Sequence, residues 1–268
     1  MERNIGYQWT KRLMNVPLAG DLNKYPAQTE FRKHSRPQDF FFGTRPESNI
    51  LHHQEHHIDI PATMALQKLS SNRAVKMLMA CAEGKYGVLG VVSYNMETIV
   101  AAIRAAEKKQ APLQILLFPW ALKYSPLFVD FAAHAARKAK VPVTVHMDHA
   151  QDPEVIKAAA QIKAEDGTPA FDSIMVDMSH YEKEENLAKT KELVALCHSQ
   201  GIATEAEPGR IEGGEDGVKD TAELEGMMTT PEEVDDFVAT GIDFLAPAFG
   251  NVHGEYGGRE NIHLDYDR

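Results

Sequence analysis

Histidines and carboxylates recur in this chain at the ends of short apolar runs. An HMDH segment occupies residues 146–149, and Asp177 ends the next apolar run. Glu205 and Glu207 end a further run, and His253 follows the last one. Imidazole and carboxylate ligands together suit zinc and similar divalent ions, and a carboxylate beside them can act as a general acid or base. A single histidine at such a position is more often a satisfied polar residue, but repeated placement favours a functional site, because buried groups of this kind are costly when unpaired.

The elements that would position these side chains alternate regularly from Ser71 onward. Helical patterns begin at Asn95, Ser125, Asp152 and Thr230, which are residue types preferred at helix N-caps. Between the helices lie six apolar, β-branched runs that are predicted as strands: Tyr86–Tyr94, Leu113–Phe118, Val141–Met147, Ser173–Asp177, Ile202–Glu207 and Phe244–Phe249. This alternation predicts a parallel sheet covered by helices. All strands of a parallel barrel end on the same side. The polar residues at the strand ends are therefore predicted to meet at this end of the barrel, its mouth.

Three long segments resemble the class II fructose-bisphosphate and tagatose-bisphosphate aldolases. They read VTVHMDHAQDPE, SIMVDMSHYEKEENLAKTKELVALCHSQGIATEAEPGRIEGGEDG and APAFGNVHGEYGG, in the family's order and spacing. The resemblance covers about residues 71–268. It implies an α/β fold, the TIM (β/α)8-type barrel, which is usually dimeric and cleaves ketose bisphosphates with the help of zinc.

The resemblance also implies roles for individual residues. His149 and His253 are similar to two zinc histidines of the family, and Glu207 to the carboxylate that approaches or leaves the metal. Asp148 resembles the aspartate that exchanges the proton of the C4 hydroxyl, and Glu215 resembles the loop glutamate that moves the proton at C3. These roles suit aldol cleavage, which leaves a negative charge on the carbon next to a carbonyl. A Lewis-acid metal on the carbonyl oxygen stabilises that charge. Carboxylates can remove the hydroxyl proton and return a proton to the carbon.

Other parts of the pattern concern the substrate. Asn251 and Gly254 resemble substrate-binding positions in the third segment, whereas Phe118-Pro119-Trp120 replaces the Ser-Gly-Gly that is common after the second strand. The H-G-G-S-G segment with the third zinc histidine is absent, as are the glycine-rich and N-x-D-T segments that bind phosphate. We therefore expect an incomplete barrel of about six β/α units, without the last two.

Composition limits the other function classes. The net charge is −11, which argues against a nucleic-acid or anionic-membrane surface. The longest apolar runs are too short to cross a membrane. With two cysteines, a disulfide framework is not expected, and a cytoplasmic setting is predicted, with a mitochondrial leader as the alternative. Residues 1–70 lack a sustained period and are predicted to be an extension of low order before a barrel at 71–268.

The leading interpretation is therefore a zinc-dependent lyase that cleaves a phosphorylated ketose such as fructose 1,6-bisphosphate into dihydroxyacetone phosphate and an aldehyde. A homodimer is expected if the barrel is complete. The alternative is an inactive binding or scaffold protein of the same fold, because the third histidine and the phosphate loops are absent. Fructose and tagatose bisphosphates differ at one stereocentre, and the sequence does not separate them.

Overall fold

The structure is a computed structural model that describes residues 69–213 and 226–268. Six strands form one parallel sheet in sequential order, β1-β2-β3-β4-β5-β6. Their bounds are β1 Leu89–Val92, β2 Leu113–Leu117, β3 Val143–Ala150, β4 Ser173–Val176, β5 Ala203–Ala206 and β6 Phe244–Leu245. This is the strand order of a (β/α)8-type barrel, and β1 and β6 form the two edges of the described sheet. The prediction of an α/β, incomplete barrel is confirmed.

Helices connect the strands and cover one face of the sheet. They are α1 Arg73–Gly84, α2 Met96–Lys109, α3 Trp120–Tyr124, α4 Pro126–Lys138, α5 Pro153–Gln161, α6 Lys183–Ser199 and α7 Pro231–Ala239, followed by a 3₁₀ turn at Arg259–Asn261. The predicted caps are present: side chains of Asn95, Ser125, Asp152 and Thr230 accept backbone N–H groups in the first turn of their helices. Among the described residues, no helix is both long and apolar enough to span a bilayer.

The side chains on the two faces of β3 differ in polarity. Val145 and Met147 are fully buried in the apolar core between the sheet and the helices. Thr144 and His146, which alternate with them, are also buried but polar. Since neighbouring residues of a strand point to opposite faces, the inner face of the sheet carries polar groups below the barrel mouth.

All six predicted strands have different bounds in the structure, and the first, third and sixth differ most. The first was predicted at Tyr86–Tyr94, but β1 spans only Leu89–Val92. The third strand was predicted to end at Met147, but β3 pairs with β4 as far as Ala150 and includes the HMDH residues. The sixth was predicted to reach Phe249, but β6 ends at Leu245. Pro247 explains the early end, because it has no N–H to continue the ladder. Residues 1–68 of the predicted extension lie outside the described part of the chain.

Asn72 joins helix α1 to the amino-terminal end of the barrel. Its Oδ1 accepts hydrogen bonds from the backbone N–H of Ala74 at 2.8 Å and of Val75 at 3.1 Å. Its Nδ2 donates to the carbonyl of Asp172 at 2.8 Å and to that of Gly201 at 3.0 Å. One amide therefore caps a helix and ties it to the segments that lead into β4 and β5.

Replacement of Asn72 by alanine is expected to destabilise the fold more than the same change at the exposed cap Asn95. Loss of an N-cap costs about 1 kcal/mol, and Asn72 loses two further hydrogen bonds worth about 0.5–1.5 kcal/mol each. We expect Asn72→Ala to lower the free energy of unfolding by about 2–3 kcal/mol and Asn95→Ala by about 1 kcal/mol. Urea unfolding followed by circular dichroism measures both. Equal losses would contradict the joining role of Asn72.

Candidate active site

A bulge in β3 sets the geometry of the mouth. His149 has φ of 47°, in the left-handed region that favours glycine. The pairing with β4 shifts between Met147 and Ala150, so β3 carries one residue more than its neighbour at this point. An undistorted strand would send Asp148 and His149 to opposite faces. The bulge lets both approach the mouth, at a backbone cost of about 1–2 kcal/mol.

His149 is held by a carboxylate on the neighbouring strand. Its Nδ1 lies 2.9 Å from Oδ2 of Asp177, and both side chains are buried. The other oxygen of Asp177 accepts hydrogen bonds from the N–H of Ser179 at 3.1 Å and from its hydroxyl at 2.6 Å. Because Nδ1 is engaged, Nε2 is the nitrogen of His149 that is available to a metal.

The buried charges shift the pKa values of these groups. Burial opposes protonation of His149, but its hydrogen bond to Asp177 and the charge of Asp148 raise its pKa to about 9. Burial also opposes ionisation of Asp177, yet its contacts with His149 and Ser179 hold its pKa at about 2. For Glu207, burial and the nearby Asp177 charge raise the pKa to about 8. The raised pKa values of His149 and Glu207 favour their protonated forms, and a bound cation would displace these protons.

Three side chains form a potential metal site. His149, Glu207 and His253 each offer one ligand atom, and these atoms lie within 4.8 Å of one another. Oε1 of Glu207 accepts the N–H of Ile211 at 2.7 Å, whereas its buried Oε2 has no hydrogen-bond partner among the described residues. A buried carboxylate oxygen without a partner is costly. Zinc ligands at about 2.0–2.2 Å from the ion need only a modest approach of these atoms, so the donor set fits a zinc-type cation.

Backbone contacts between two loops bring His253 to Glu207. The N–H of His253 donates to the carbonyl of Glu212 at 2.8 Å. The next residue, Gly213, has φ of 95°, and a Cβ there would collide with the carbonyl oxygen of His253. The loop after β5 and the loop after β6 can therefore approach this closely only with glycine at position 213.

Of the two predicted substrate-binding residues, Asn251 lines a cavity and Gly254 does not. A cavity of about 470 Å³ lies beside the metal site, and Asn251, His253 and Tyr256 line it. Oδ1 of Asn251 accepts the N–H of Phe249 at 2.9 Å, so this oxygen stabilises the loop. Gly254 is not among the residues that line the cavity. The predicted proton-transfer residue Glu215 lies outside the described residues.

Aromatic residues follow β2, and one of them lies beside His149. The ring of Phe118 is buried, and its centroid lies 6.2 Å from that of His149. Trp120 stacks on Tyr94 and on Phe128, with centroids 5.8 Å and 5.7 Å away. The replacement of Ser-Gly-Gly noted in the sequence thus places an apolar ring, that of Phe118, beside a residue of the potential metal site.

The structure brings together His149, Glu207 and His253, and Asp148 is next to His149 in β3. The roles that the sequence suggested for these residues stay predictions. Sequence reasoning placed Asp177 at a strand end but gave it no role, although it is the partner of His149. A carboxylate that ends the neighbouring strand is a signal that could have identified it, because histidine ligands commonly donate their second N–H to a carboxylate. No sequence signal predicted the left-handed backbone of His149.

Comparisons with known proteins agree on one family. The family model described as class-II fructose-bisphosphate aldolase matches residues 72–268. A Coccidioides immitis (strain RS) protein, provisionally named a fructose-bisphosphate aldolase, is 60% identical over 202 residues, covering 75% of this chain and 67% of the relative. The fructose-bisphosphate aldolase of Thermus caldophilus is 38% identical over 192 residues, covering 70% of this chain and 60% of the relative.

Solved structures give the same result. The crystal structure of the Coccidioides immitis protein matches with a TM-score of 0.70 and 60% identity, over 75% of this chain and 68% of that one. The crystal structure of the YdjI aldolase from Escherichia coli K12 matches with a TM-score of 0.58 and 28% identity, over 72% of this chain and 65% of that one. The chain thus spans about 60% to two thirds of the length of these relatives.

Replacement of Asp177 by asparagine is expected to weaken zinc binding by about 10–100-fold, because the imidazole of His149 loses the carboxylate that orients it. Competition with a chelating dye measures the affinity. Asp243→Asn is the matched control, since Asp243 forms the same 2.9 Å contact with His198 away from the site. If the two variants bind zinc equally well, the role given to Asp177 is wrong.

A second prediction concerns the loop contact at Gly213. Gly213→Ala and Gly201→Ala both place a side chain at a left-handed residue and should each cost about 1–2 kcal/mol of stability. At Gly201 an added Cβ meets nothing within 4 Å, whereas at Gly213 it meets the backbone of His253. We expect Gly213→Ala alone to weaken zinc binding, by about tenfold or more, because it displaces a ligand. Similar zinc affinities of the two variants would count against this contact.

Proposed function

The chain belongs to the class-II fructose-bisphosphate aldolase family, and from this premise we propose that its site performs metal-dependent, reversible aldol cleavage of a phosphorylated ketose. The observation that carries the proposal is the convergence of His149, Glu207 and His253 around a common point, with Asp148 next to His149 in the β3 bulge. This arrangement combines a cation site with a carboxylate that can take a proton, which are the two requirements of the reaction.

His149, Glu207 and His253 would hold the cation. When bound, a zinc ion supplies Lewis-acid stabilisation of the negative charge that develops on the ketose carbonyl oxygen. Asp177 keeps Nδ1 of His149 engaged, which leaves Nε2 for the ion. Oε2 of Glu207, which has no hydrogen-bond partner in the described part of the chain, is the carboxylate oxygen that suits it.

Asp148 is proposed as the base that begins cleavage. Its carboxylate removes the proton from the hydroxyl on the carbon that becomes the aldehyde, and the C–C bond then breaks. The bonding electrons remain on the carbon next to the ketose carbonyl, which must receive a proton to complete the reaction. By resemblance, this second proton transfer belongs to Glu215, on the loop after β5. About a sixth of the Asp148 side chain is open to solvent, so substrate can reach it.

The substrate is proposed to be a ketose phosphate such as fructose 1,6-bisphosphate, which gives dihydroxyacetone phosphate and an aldehyde. A homodimer and a cytoplasmic location are part of the same proposal. Both cysteines are buried and free, which is consistent with a reducing compartment.

A second candidate function is that of a non-catalytic protein of the same fold. The observation that favours it is the ring of Phe118, which lies beside His149 in a segment where small polar residues are common in the family, and which is followed by the bulky Trp120. In this case, the aromatic side chains would occupy space that substrate needs.

The two candidates differ in a cleavage assay with zinc-loaded chain. We expect dihydroxyacetone phosphate to form from a panel of ketose phosphates, and a chelator to abolish its formation. Asp148→Asn is expected to lower kcat by about 10²–10⁴-fold while zinc content is kept. Asp130→Asn, an exposed carboxylate on α4, is the control and should match the unmodified chain. Cleavage that survives the chelator would rule out the metal-dependent mechanism. A chain that holds zinc but cleaves no member of the panel would support the non-catalytic alternative.

A further inference from the structure

His146 lies on the inner face of the sheet, below the mouth. It belongs to β3 and is 1% exposed. Its strand partner in β4 is Ser173, and its Nδ1 lies 2.8 Å from the Ser173 hydroxyl oxygen. Nε2 of Gln114, on β2, donates to the same hydroxyl at 3.4 Å.

The opposite nitrogen of His146 is directed at two carboxylates. Nε2 lies 3.8 Å from Oδ1 of Asp148 and 3.5 Å from Oε2 of Glu205. It is buried and has no hydrogen-bond partner among the described residues. A buried donor or acceptor in this position is costly, and packing alone would be served as well by an apolar side chain. His146 is also outside the group of three side chains that can hold a metal.

The contacts of His146 favour one tautomer of its imidazole. The Ser173 hydroxyl can donate to Nδ1 while it accepts the amide N–H of Gln114, whereas the carboxylate of Asp148, which faces Nε2, can only accept. Nδ1 then acts as an acceptor, and Nε2 carries the hydrogen. That N–H faces Asp148 and Glu205, to which a small movement would bring it within hydrogen-bond distance. Catalytic hydrogen bonds are often long before substrate is bound and shorten in the complex.

We propose that His146 is a positioning residue for Asp148, which it holds through its Nε2–H so that the second carboxylate oxygen faces the substrate. This proposal rests on the proposed function of Asp148 as the base. Glu205 is the alternative acceptor of the same N–H, on the far side of the imidazole from Ser173. With a fixed carboxylate, the base does not need to reorient during the reaction.

The first test does not depend on turnover. The ¹⁵N spectrum of histidine-labelled chain, with the His146 signals assigned by their loss in His146→Gln, reports which ring nitrogen carries hydrogen. We expect Nε2 to be protonated, and its resonance to move in Asp148→Asn. An Nε2 without hydrogen, or one that does not respond to Asp148→Asn, would overturn the proposal. His146→Met supplies the same assignment, so the failure of one variant to fold does not remove the test, and the protonated nitrogen is read from the unmodified chain.

The second test is kinetic and uses zinc-loaded chain. His146→Met keeps a similar volume without a donor, and His146→Gln keeps a donor near the position of Nε2. We expect His146→Met to lower kcat by about 10–100-fold, with KM and zinc content nearly unchanged, and His146→Gln to recover most of the loss. Thr144→Val, a buried polar position on the same face of β3, is the matched control and should keep normal kcat.

The outcomes of the two tests separate the proposals. Normal kcat in His146→Met, or loss of zinc together with activity, would exclude positioning of Asp148. Equal losses in His146→Met and His146→Gln would do the same. If the unmodified chain holds zinc and cleaves no ketose phosphate, the proposed function fails. The ¹⁵N result then still decides whether His146 contacts Asp148.

Discussion

The left-handed backbone of His149 is the constraint on which the rest of the site depends. A strand that kept its alternation would turn either Asp148 or His149 away from the mouth. The bulge between Met147 and Ala150 removes this conflict and places His149, a residue of the potential metal site, directly beside Asp148. The contact of His149 with Asp177 offsets part of the backbone cost.

The carboxyl groups at the barrel mouth favour the binding of a cation there. Asp148, Asp177, Glu205 and Glu207 project from three neighbouring strand ends. Burial lowers the pKa of His149, but the hydrogen bond to Asp177 and the charges of Asp148, Asp177 and Glu207 raise it to about 9. Burial raises the pKa of Glu205 and of Glu207, so these carboxyl groups resist ionisation in the metal-free chain. A divalent ion would take the place of the protons and satisfy the buried carboxylate oxygen of Glu207.

The polarity of the residues also differs between the strand ends that form the mouth. The ends of β3 and β5 carry ionisable groups, whereas the segment after β2 places the ring of Phe118 beside His149. Trp120 packs instead on Tyr94 and Phe128. His149 therefore has an apolar ring as one neighbour and the carboxylate of Asp177 as another.

The repeating pattern of apolar runs and helix caps was enough to predict the parallel sheet, since strand alternation and capping are local properties of the chain. The ligand types and their strand-end positions likewise predicted that Asp148, His149, Glu207 and His253 would meet. The sequence pattern did not predict contacts between segments that are distant in the chain. The bulge at His149, the pairing of Asp177 with it, and the closeness of Gly213 to His253 all depend on how neighbouring strands and loops pack. Only the tertiary structure settles such contacts, because each requires two parts of the chain to adopt compatible backbones at once.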